Sequence, residues 1–298
     1  MWNRVKAKTA VDRFQKENNL AFQSVELIRF GENAIYVIRD EELILRVYRP
    51  NKSDSVIENE IQLCEFLCQA KFPSVQPKYL SGKNLFTYDD IRISTWKYYE
   101  DNTDKKICYF ELGKILKFFH RIVKKTKLKE YLKFSPILVI TSRLEMIETT
   151  SNDLLDAKEF LLSKIYDIKE TSVHLFENNI QIIHGDFHQG NILNTSEGLI
   201  VIDFENTSYG NYLFDLIPIA VGNERFSIDD CDYKMFCDGY GYDIKKHQDY
   251  RTLKSIREIY IIAWLSQFLN EDKKKNEFLK RVNTLKVGGN EHEKWSAK

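Results

Sequence analysis

The residues best suited to chemistry lie in one segment, IIHGDFHQGNILNTSEGLIVIDFE, which spans residues 182–205. Residues 192–194 and 199–202 are apolar and β-prone, and the polar residues between them are typical of a tight turn. An antiparallel hairpin would place Asn191, just before its first strand, nearly opposite Asp203, just after its second. The amide and carboxylate oxygens of these two side chains are hard ligands that suit Mg²⁺.

A second carboxylate, Asp186, precedes Asn191 by five residues and lies in the loop that leads into the hairpin. Phosphoryl transfer needs metal ligands and a separate carboxylate that accepts or orients the proton of the attacking hydroxyl. The spacing His-x-Asp-x-x-x-x-Asn matches that of the kinase catalytic loop, with Gly185 in place of arginine. An Asp-Phe pair at 203–204 follows where the kinase metal-binding motif would stand. The segment therefore predicts transfer of a γ-phosphoryl group from a magnesium-bound nucleoside triphosphate to a hydroxyl.

Two other classes of protein fit parts of this segment. His184, Asp186 and His188 form an H-x-D-x-H sequence that could bind the metal of a hydrolase, but this leaves Asn191 and Asp203 without a role. A catalytically inactive kinase-like scaffold is the third class, although the three kinase residues are retained here. Magnesium-dependent nucleotide binding would indicate the kinase, and zinc retention without nucleotide binding would indicate the hydrolase.

The first hundred residues, which must position part of this chemistry, are rich in predicted strands. These strands are expected at 24–30, 34–39, 43–47, 85–88 and 91–96. A helix is predicted at 55–71, with Ile57, Ile61, Cys64 and Cys68 on its buried stripe.

The rest of the chain is mainly helical, with helices predicted at 108–122, 155–166, 229–240 and 250–270 around a β island at 182–204. His120 and Trp264 lie on apolar helix faces and are predicted to be buried. The sequence thus predicts an α+β protein with a small β-rich N-terminal lobe (1–97) and a larger, mainly helical C-terminal lobe (98–298). The ligand site is expected in the cleft between the lobes.

HGDFHQGNIL and VIDFENTSYG resemble the catalytic and metal-binding loops of the aminoglycoside phosphotransferase family, which includes choline, homoserine, fructosamine and methylthioribose kinases. The resemblance implies a protein-kinase-like bilobal fold, with Asp186 as catalytic base and Asn191 and Asp203 as Mg²⁺ ligands. Asp215, in YGNYLFDL, matches the family's buried aspartate that braces the catalytic loop. His184 is expected to pack that loop rather than to carry protons. ELGKILKFFH is similar to the helix that precedes the family's substrate-binding insertion.

The same resemblance extends to the nucleotide. GENAIYVI, at 31–38, is similar to the family's nucleotide loop, which makes Gly31 and Asn33 expected nucleotide contacts. The segment from Ser94 to Tyr98, which includes Trp96, is predicted to be the linker whose backbone bonds the purine of ATP or GTP.

Arg46, in LILRV, stands where protein kinases have the lysine that grips the α- and β-phosphates. A guanidinium is always charged and can fork onto phosphate oxygens, so the role is chemically preserved. Glu60 is the expected ion-pair partner of Arg46, with Glu58 as the alternative because helix phase is uncertain by a residue or two.

The sequence does not specify the phosphoryl acceptor. Glu205 is either a carboxylate that faces the metal or substrate, or a solvated residue. Tyr209 and Tyr240 could stack on a sugar or a choline-like group, or could simply pack the lobe. The acidic residues 229–232 could match a polycationic sugar or begin a helix. Homoserine, choline, a sugar, an aminoglycoside and a protein serine all fit.

Composition narrows the class of partners. Lys+Arg and Asp+Glu both total 44, so no net field favours nucleic acid or acidic membranes, and the basic runs at Lys124–Lys129 and Lys273–Lys275 are expected to be solvated. The N-terminal segment lacks the apolar region of a secretory signal, and no apolar run could span a bilayer. Five cysteines without C-x-x-C pairs predict reduced thiols in a cytoplasmic protein. The expected partners are a nucleoside triphosphate and a small hydroxylated substrate.

Overall fold

A computed structural model describes residues 2–102, 106–124, 131–286 and 293–296. The strands are β1 Glu26–Phe30, β2 Asn33–Ile38, β3 Leu43–Tyr48, β4 Leu85–Tyr88, β5 Ile91–Lys97, β6 Ile180–Ile183, β7 Ile192–Thr195, β8 Gly198–Val201 and β9 Ser208–Asn211. The α-helices are α1 Arg4–Glu17, α2 Asp54–Gln69, α3 Tyr109–Val123, α4 Pro136–Glu145, α5 Asn152–Thr171, α6 Ile217–Arg225, α7 Asp230–Tyr240, α8 Tyr250–Leu265 and α9 Asp272–Lys286.

The chain forms two compact units. The first comprises residues 1–107 together with 190–205, and the second comprises 108–189 together with 206–298. The first unit is rich in strands and the second is mainly helical, so the predicted α+β class is confirmed. Neither unit is one continuous stretch of sequence, because the segment that carries β7 and β8 belongs to the first unit. The lobe division at residues 97 and 98 stays a prediction.

The first unit is built on an antiparallel sheet with the order β1-β2-β3-β5-β4. All five of its strands were predicted within two residues at either end. Helix α1 was not predicted, yet it supplies Phe14, whose ring meets the edge of Phe86 with centroids 4.9 Å apart. Two of its four buried residues are alanines, Ala7 and Ala10, which give a weak apolar signal in the sequence.

Helix α2 buries Ile57, Ile61 and Cys64, as predicted. Cys68 is exposed, so its placement on the buried stripe is wrong. The buried stripe of α2 ends instead with Leu67. It also includes the charged side chain of Glu60, which is only 3% exposed. A buried carboxylate needs a charged or hydrogen-bonding partner, and the partner of Glu60 is Arg46.

The hairpin of β7 and β8 forms as predicted, with Ile192 opposite Val201 and Thr195 opposite Gly198. It is also joined to the segment after α2. The Val201 N–H donates to the Pro73 carbonyl, and the Val75 N–H donates to the Val201 carbonyl, both at 2.9 Å. The hairpin is therefore connected to the rest of the first unit by backbone hydrogen bonds on the edge of β8 that faces away from β7.

In the second unit, α3 and α7 pack with unusually close backbones. A Cβ on Gly113 would lie 2.3 Å from the Phe236 carbonyl oxygen, and one on Gly239 would lie 2.1 Å from that of Phe110. Glycine at both positions is what permits this approach. Strand β9 pairs with β6, with Ile183 opposite Ser208.

The predicted helices of the second unit are found as α3, α5, α7 and α8, while α4, α6, α9 and strand β9 were not predicted. Trp264 is 38% exposed, so its prediction as a core residue is wrong; His120 is buried. Residues 103–105 and 125–130 lie outside the described part of the chain, and with them most of the basic run Lys124–Lys129. Among the described residues, no helix is long and apolar enough to cross a membrane. The five cysteines are free thiols.

Candidate active site

Asp215 organises the loop that carries Asp186 in the second unit. It is fully buried and accepts hydrogen bonds from the backbone N–H groups of His184 and Gly185, both at 2.8 Å. Its second oxygen also lies 3.0 Å from Nε2 of His120. A carboxylate that accepts several hydrogen bonds fixes the backbone that donates them, so Asp215 sets the course of the chain just before Asp186.

His120 extends this support inward. It is buried, and its Nδ1 lies 2.9 Å from the hydroxyl of Tyr240, which is itself only 9% exposed. Of the two roles open to Tyr240, this position favours packing over contact with a substrate. The sequence singled out Asp215, but it gave no signal that His120 and Tyr240 would continue the same chain of contacts.

Gly185 explains why this loop has no arginine at the position that protein kinases reserve for one. Its φ is +80°, and a Cβ there would lie 2.3 Å from the backbone oxygen of Asn206. Both the left-handed conformation and the close approach of backbone require glycine.

Asp186 is held by two basic side chains. Arg257 Nη2 lies 2.8 Å from its Oδ1, and His188 Nε2 lies 3.4 Å from its Oδ2. Burial alone would raise the pKa of Asp186, but Arg257 and then His188 more than offset it, and the pKa falls well below its ordinary value. The carboxylate is thus ionised at neutral pH. Arg257 was not predicted: it lies on α8, 71 residues further along the chain, and no local pattern marks it.

His184 does not present its ring as a metal ligand. It is 1% exposed, and its Nδ1 accepts a hydrogen bond from the backbone N–H of Asp186 at 3.3 Å. Within the described part of the chain, no group of three His, Cys, Asp or Glu side chains could hold a metal ion. This arrangement favours the packing role for His184 over the hydrolase alternative with Asp186 and His188.

A small pocket of about 20 Å³, partly open to solvent and with room for about one water molecule, lies beside Gly185, the residue before Asp186. Its walls include Gly185, Arg257, and the apolar or aromatic side chains of Phe134, Phe214, Ile256 and Tyr260.

Tyr209 lies on β9 opposite Ile182, and the centroids of the Tyr209 and Tyr131 rings lie 6.3 Å apart in an edge-on arrangement. Its predicted contact with the substrate stays a prediction.

The hairpin of the first unit carries the two expected metal ligands. The Ile202 N–H donates to the Asn191 carbonyl at 3.0 Å, which extends the register of β7 and β8 by one pair and brings Asp203 beside Asn191 along the backbone. Asn191 is 4% exposed, and Asp203 has a φ of +65°, a conformation that aspartate tolerates better than most residues. Convergence of Asp186 with this pair joins residues of different units and stays a prediction.

Arg46 is the hub of a buried charge network in the first unit. It donates to Glu60 at 2.8 Å, to Asp203 at 2.9 Å, and to Glu205. Glu60, not Glu58, is therefore its helical partner. Burial would lower the pKa of Arg46, but these carboxylates, Glu60 foremost, hold it well above its ordinary value. Burial raises the pKa of Glu60 to about 7 even though Arg46 opposes the shift.

Glu205 is not a solvated residue. Its side chain is 15% exposed and accepts hydrogen bonds from Asn33 at 2.8 Å and from Lys52 as well as Arg46. Burial would raise its pKa, but Arg46 and Lys52 overcome this and lower the pKa to about 2. Lys52 was not predicted, because it lies in the loop after β3, where a lone lysine carries no signal. With Glu60 and Asp203, the network holds three acids and two bases.

The residues expected to contact the nucleotide lie in two parts of the first unit. Gly31 and Asn33 lie at the turn between β1 and β2, where the Gly31 N–H donates to the Asn33 carbonyl at 3.0 Å. Ser94 and Trp96, in contrast, lie inside β5, and Trp96 Nε1 donates to Ser94 Oγ at 2.6 Å. Residues 94–97 of the predicted linker thus form the end of a strand that pairs with β3, and their contact with the purine stays a prediction.

The donors offered by the hairpin fit Mg²⁺. Asn191 supplies a neutral amide oxygen, and Asp203 supplies a carboxylate of which one oxygen accepts from Arg46. Magnesium prefers such hard oxygen ligands and is usually held by only one or two carboxylates, the rest of its shell coming from water and phosphate.

Comparison with protein families identifies the chain. Residues 26–255, more than half of the sequence, match the model of the phosphotransferase enzyme family. The chain therefore belongs to this family, as its catalytic-loop motif predicted. It is a phosphotransferase with an alcohol group as acceptor, so the predicted enzyme class is confirmed. A search of curated protein sequences finds no significant match.

Solved structures share its fold. The chain is similar to an amicoumacin kinase in complex with AMP-PNP, Ca²⁺ and Ami, with a TM-score of 0.75 and 17% identity over 97% of this chain and 96% of that one. It is similar to a spectinomycin phosphotransferase, with a TM-score of 0.63 and 15% identity over 94% of both chains. The choline kinase of Streptococcus pneumoniae has a TM-score of 0.62 and 16% identity over 94% of this chain and 99% of that one. At such identities the likeness establishes the protein-kinase-like fold.

Proposed function

We propose that this enzyme moves the γ-phosphoryl group of ATP or GTP, bound with Mg²⁺, to the hydroxyl of a small molecule in the cytoplasm. The observation that carries the proposal is the carboxylate of Asp186, paired with Arg257 at 2.8 Å on a loop that Asp215 fixes through two backbone hydrogen bonds. A fixed, ionised carboxylate is the group that an attacking alcohol needs.

In the first unit, Arg46 would bind the phosphates of the nucleotide. A guanidinium has five N–H donors in a planar fork, and Glu60 on α2 orients it through a buried ion pair. Asn191 and Asp203 would hold the Mg²⁺, whose charge neutralises the phosphates. Binding of the nucleotide would then compete with Asp203 and Glu205 for Arg46, so those contacts are expected to rearrange.

In the second unit, Asp186 would orient the acceptor hydroxyl and take up its proton. The hydroxyl oxygen forms a bond to the γ-phosphorus as the bond from that phosphorus to the β,γ-bridging oxygen breaks, and a nucleoside diphosphate leaves. Because the transition state is loose, Asp186 contributes more by aiming the hydroxyl than by removing its proton early.

Structures of similar fold are named for acceptors that are antibiotics, choline or aminopropanol. They support a small hydroxylated acceptor over a protein serine, and they leave its identity to experiment. A transfer screen with ATP and GTP against hydroxylated amino acids, amino alcohols, sugars and aminoglycosides would identify the compound and the preferred nucleotide.

The assignment of Asp186 is tested with Asp186→Asn, which keeps the size of the side chain and removes its charge. Loss of an oriented general base costs about 10²–10⁴-fold in turnover. We expect kcat to fall by at least a hundredfold while the Kd for MgAMP-PNP changes little. Asp167→Asn, an exposed substitution on α5, serves as the control. Turnover above a few per cent of wild type in Asp186→Asn would refute the role of Asp186.

A further inference from the structure

The carboxylate of Glu205 collects three donors of the first unit. Its Oε2 accepts from Arg46 Nη2 and, at 2.8 Å, from Asn33 Nδ2, and its Oε1 accepts from Lys52 Nζ. The side chains of Glu205, Arg46 and Lys52 are 15%, 11% and 17% exposed, so these contacts are largely sheltered from water. The three donors therefore form a small anion site, and the anion in it is a side chain of the protein.

Two of these donors belong to the expected nucleotide site. Arg46 and Asn33 lie on adjacent strands, in a register that pairs Arg46 with Ile35 and Asn33 with Tyr48. Because side chains alternate along a strand, these four lie on one face of the sheet. Lys52 reaches the same carboxylate from the loop between β3 and α2. The third donor thus places a second positive charge beside Arg46.

The N–H groups of Arg46 show that a phosphate cannot simply be added to this site. Nη2 carries two N–H groups, and it donates both to Asp203, at 2.9 Å, and to Glu205. A phosphate oxygen that binds Nη2 must therefore displace one of these two carboxylates. Asp203 is an expected Mg²⁺ ligand, so Glu205 is the carboxylate that can leave without loss to the metal site.

The balance of charge favours the same exchange. The network holds three acids and two bases, and its excess of negative charge would repel a triphosphate. Withdrawal of Glu205 leaves equal numbers of acids and bases and releases Arg46 and Lys52 together. A phosphate group offers such cationic donors several charged oxygens, as a carboxylate does. The two cations are then suited to the phosphate chain of a nucleotide.

We propose that Lys52 is a second phosphate-binding residue beside Arg46, and that Glu205 occupies their anion site until the phosphates of a nucleoside triphosphate displace it. The inference rests on the proposed function, since it concerns the nucleotide of that reaction. Glu205 then lowers the affinity for the nucleotide, because the protein must break the contacts of Glu205 before the phosphates can bind.

Removal of the competing carboxylate gives the test a sign. The ligand is whichever of MgAMP-PNP and MgGMP-PNP wild type binds more tightly, titrated calorimetrically into the full chain. Glu205→Gln keeps the shape of the side chain and loses its charge, and we expect it to bind this analogue about threefold or more tightly than wild type. Glu58→Gln, an exposed substitution on α2, should leave the affinity unchanged. Equal or weaker binding by Glu205→Gln would overturn the inference.

A second set of variants tests Lys52 itself. In the Glu205→Gln background, Lys52 cannot act through Glu205, and Lys52→Gln should still weaken binding of the analogue about tenfold or more, the worth of one charged hydrogen bond. In wild type the same substitution should weaken it about threefold, because Lys52 must first leave Glu205. Lys52→Arg should retain the affinity, and the exposed Lys83→Gln should not change it. An effect of Lys52→Gln below about twofold in the Glu205→Gln background would contradict phosphate binding by Lys52.

The matching nucleoside, adenosine or guanosine, separates phosphate binding from a general loss of structure. We expect Lys52→Gln to leave the affinity for the nucleoside unchanged, and an equal loss for nucleoside and analogue would overturn the inference. Urea unfolding establishes that each variant is folded. Where Glu205→Gln does not fold, the comparison of Lys52→Gln with Lys52→Arg in wild type decides, and equal affinities would reject the role of Lys52.

The same titrations separate this inference from the proposed function. Absence of Mg²⁺-dependent binding of both analogues by wild type would refute the proposed function. Normal Mg²⁺-dependent binding that is indifferent to Lys52 and Glu205 would leave the phosphotransferase in place and overturn this inference alone.

Discussion

Replacing Asp215 with asparagine exchanges one of its carboxylate oxygens for an NH₂ group, in the buried side chain that supports the catalytic loop. In the native side chain, one oxygen accepts from the Gly185 N–H and the other accepts from the His184 N–H, both at 2.8 Å. An asparagine has a single acceptor oxygen. Whichever way the amide is turned, one of the two backbone N–H groups then faces an NH₂ group.

The cost can be estimated from these contacts. A buried N–H left without an acceptor costs about 1–3 kcal/mol, and each remaining bond weakens by about 1 kcal/mol when its acceptor loses its charge. The contact at 3.0 Å to His120 is one of those remaining bonds. The sum is about 3–5 kcal/mol, a large share of the roughly 5–15 kcal/mol that a domain usually has.

Urea unfolding followed by circular dichroism measures this free energy, and a coupled assay measures turnover. We expect Asp215→Asn to lose about 3–5 kcal/mol of unfolding free energy and at least tenfold in kcat, because the loop before Asp186 is no longer fixed. The exposed Asp167→Asn should stay within about 0.5 kcal/mol of wild type. A loss below about 1 kcal/mol for Asp215→Asn, with kcat unchanged, would show that the catalytic loop does not depend on this carboxylate.

Three further outcomes follow from features of single residues. Gly185→Ala should lower the free energy of unfolding by at least about 2 kcal/mol, because residue 185 has a left-handed backbone and the new Cβ would lie 2.3 Å from the Asn206 backbone oxygen. Calorimetric melting measures this loss, and an unchanged melting temperature would refute the backbone course at residue 185. The folded-state pKa of Glu205 is about 2, below its ordinary value of 4.5, so its stabilising contribution is complete above pH 4.5 and is lost as the pH falls towards 2. In metal-free buffer, Glu205→Gln should flatten the fall in unfolding free energy across that window, and an unaltered slope would contradict the assignment. Trp295→Ala, which removes a ring 5% exposed and 5.0 Å from the guanidinium of Arg225, should cost about 3–5 kcal/mol in urea unfolding, and a cost under about 1 kcal/mol would contradict its packing role.

Much of the local structure could be predicted because its signals are short in range. The β7 and β8 hairpin needs only two apolar runs and a turn that ends in Gly198, whose φ of +121° suits glycine. The family pattern placed the partner of Arg46 on the next helix, as Glu60 with Glu58 as the alternative, and the ion pair is made by Glu60. These inferences depend on residues within about twenty positions of one another.

What could not be predicted depends on tertiary contacts. Arg257 and Lys52 reach Asp186 and Glu205 from distant parts of the chain, and a basic side chain in isolation gives no sign of such a partner. The exact boundary between β5 and the predicted linker is also a tertiary effect. No breaker residue interrupts the chain before residue 98, so the end of β5 at Lys97 is set by pairing with Leu43 rather than by local sequence.

The backbone hydrogen bonds between the hairpin and residues 73–75 limit how this chain could be split into fragments that fold separately. A fragment that ended at residue 107 would leave the backbone groups of Pro73 and Val75 without their partners on Val201, because those partners are encoded almost a hundred residues downstream. Each unit comes from two separate stretches of sequence, so a single break in the gene cannot yield a complete copy of either unit. Complementation would require the C-terminal piece to lend its own strand pair to the N-terminal one, in the manner of a donated strand that completes another chain's sheet.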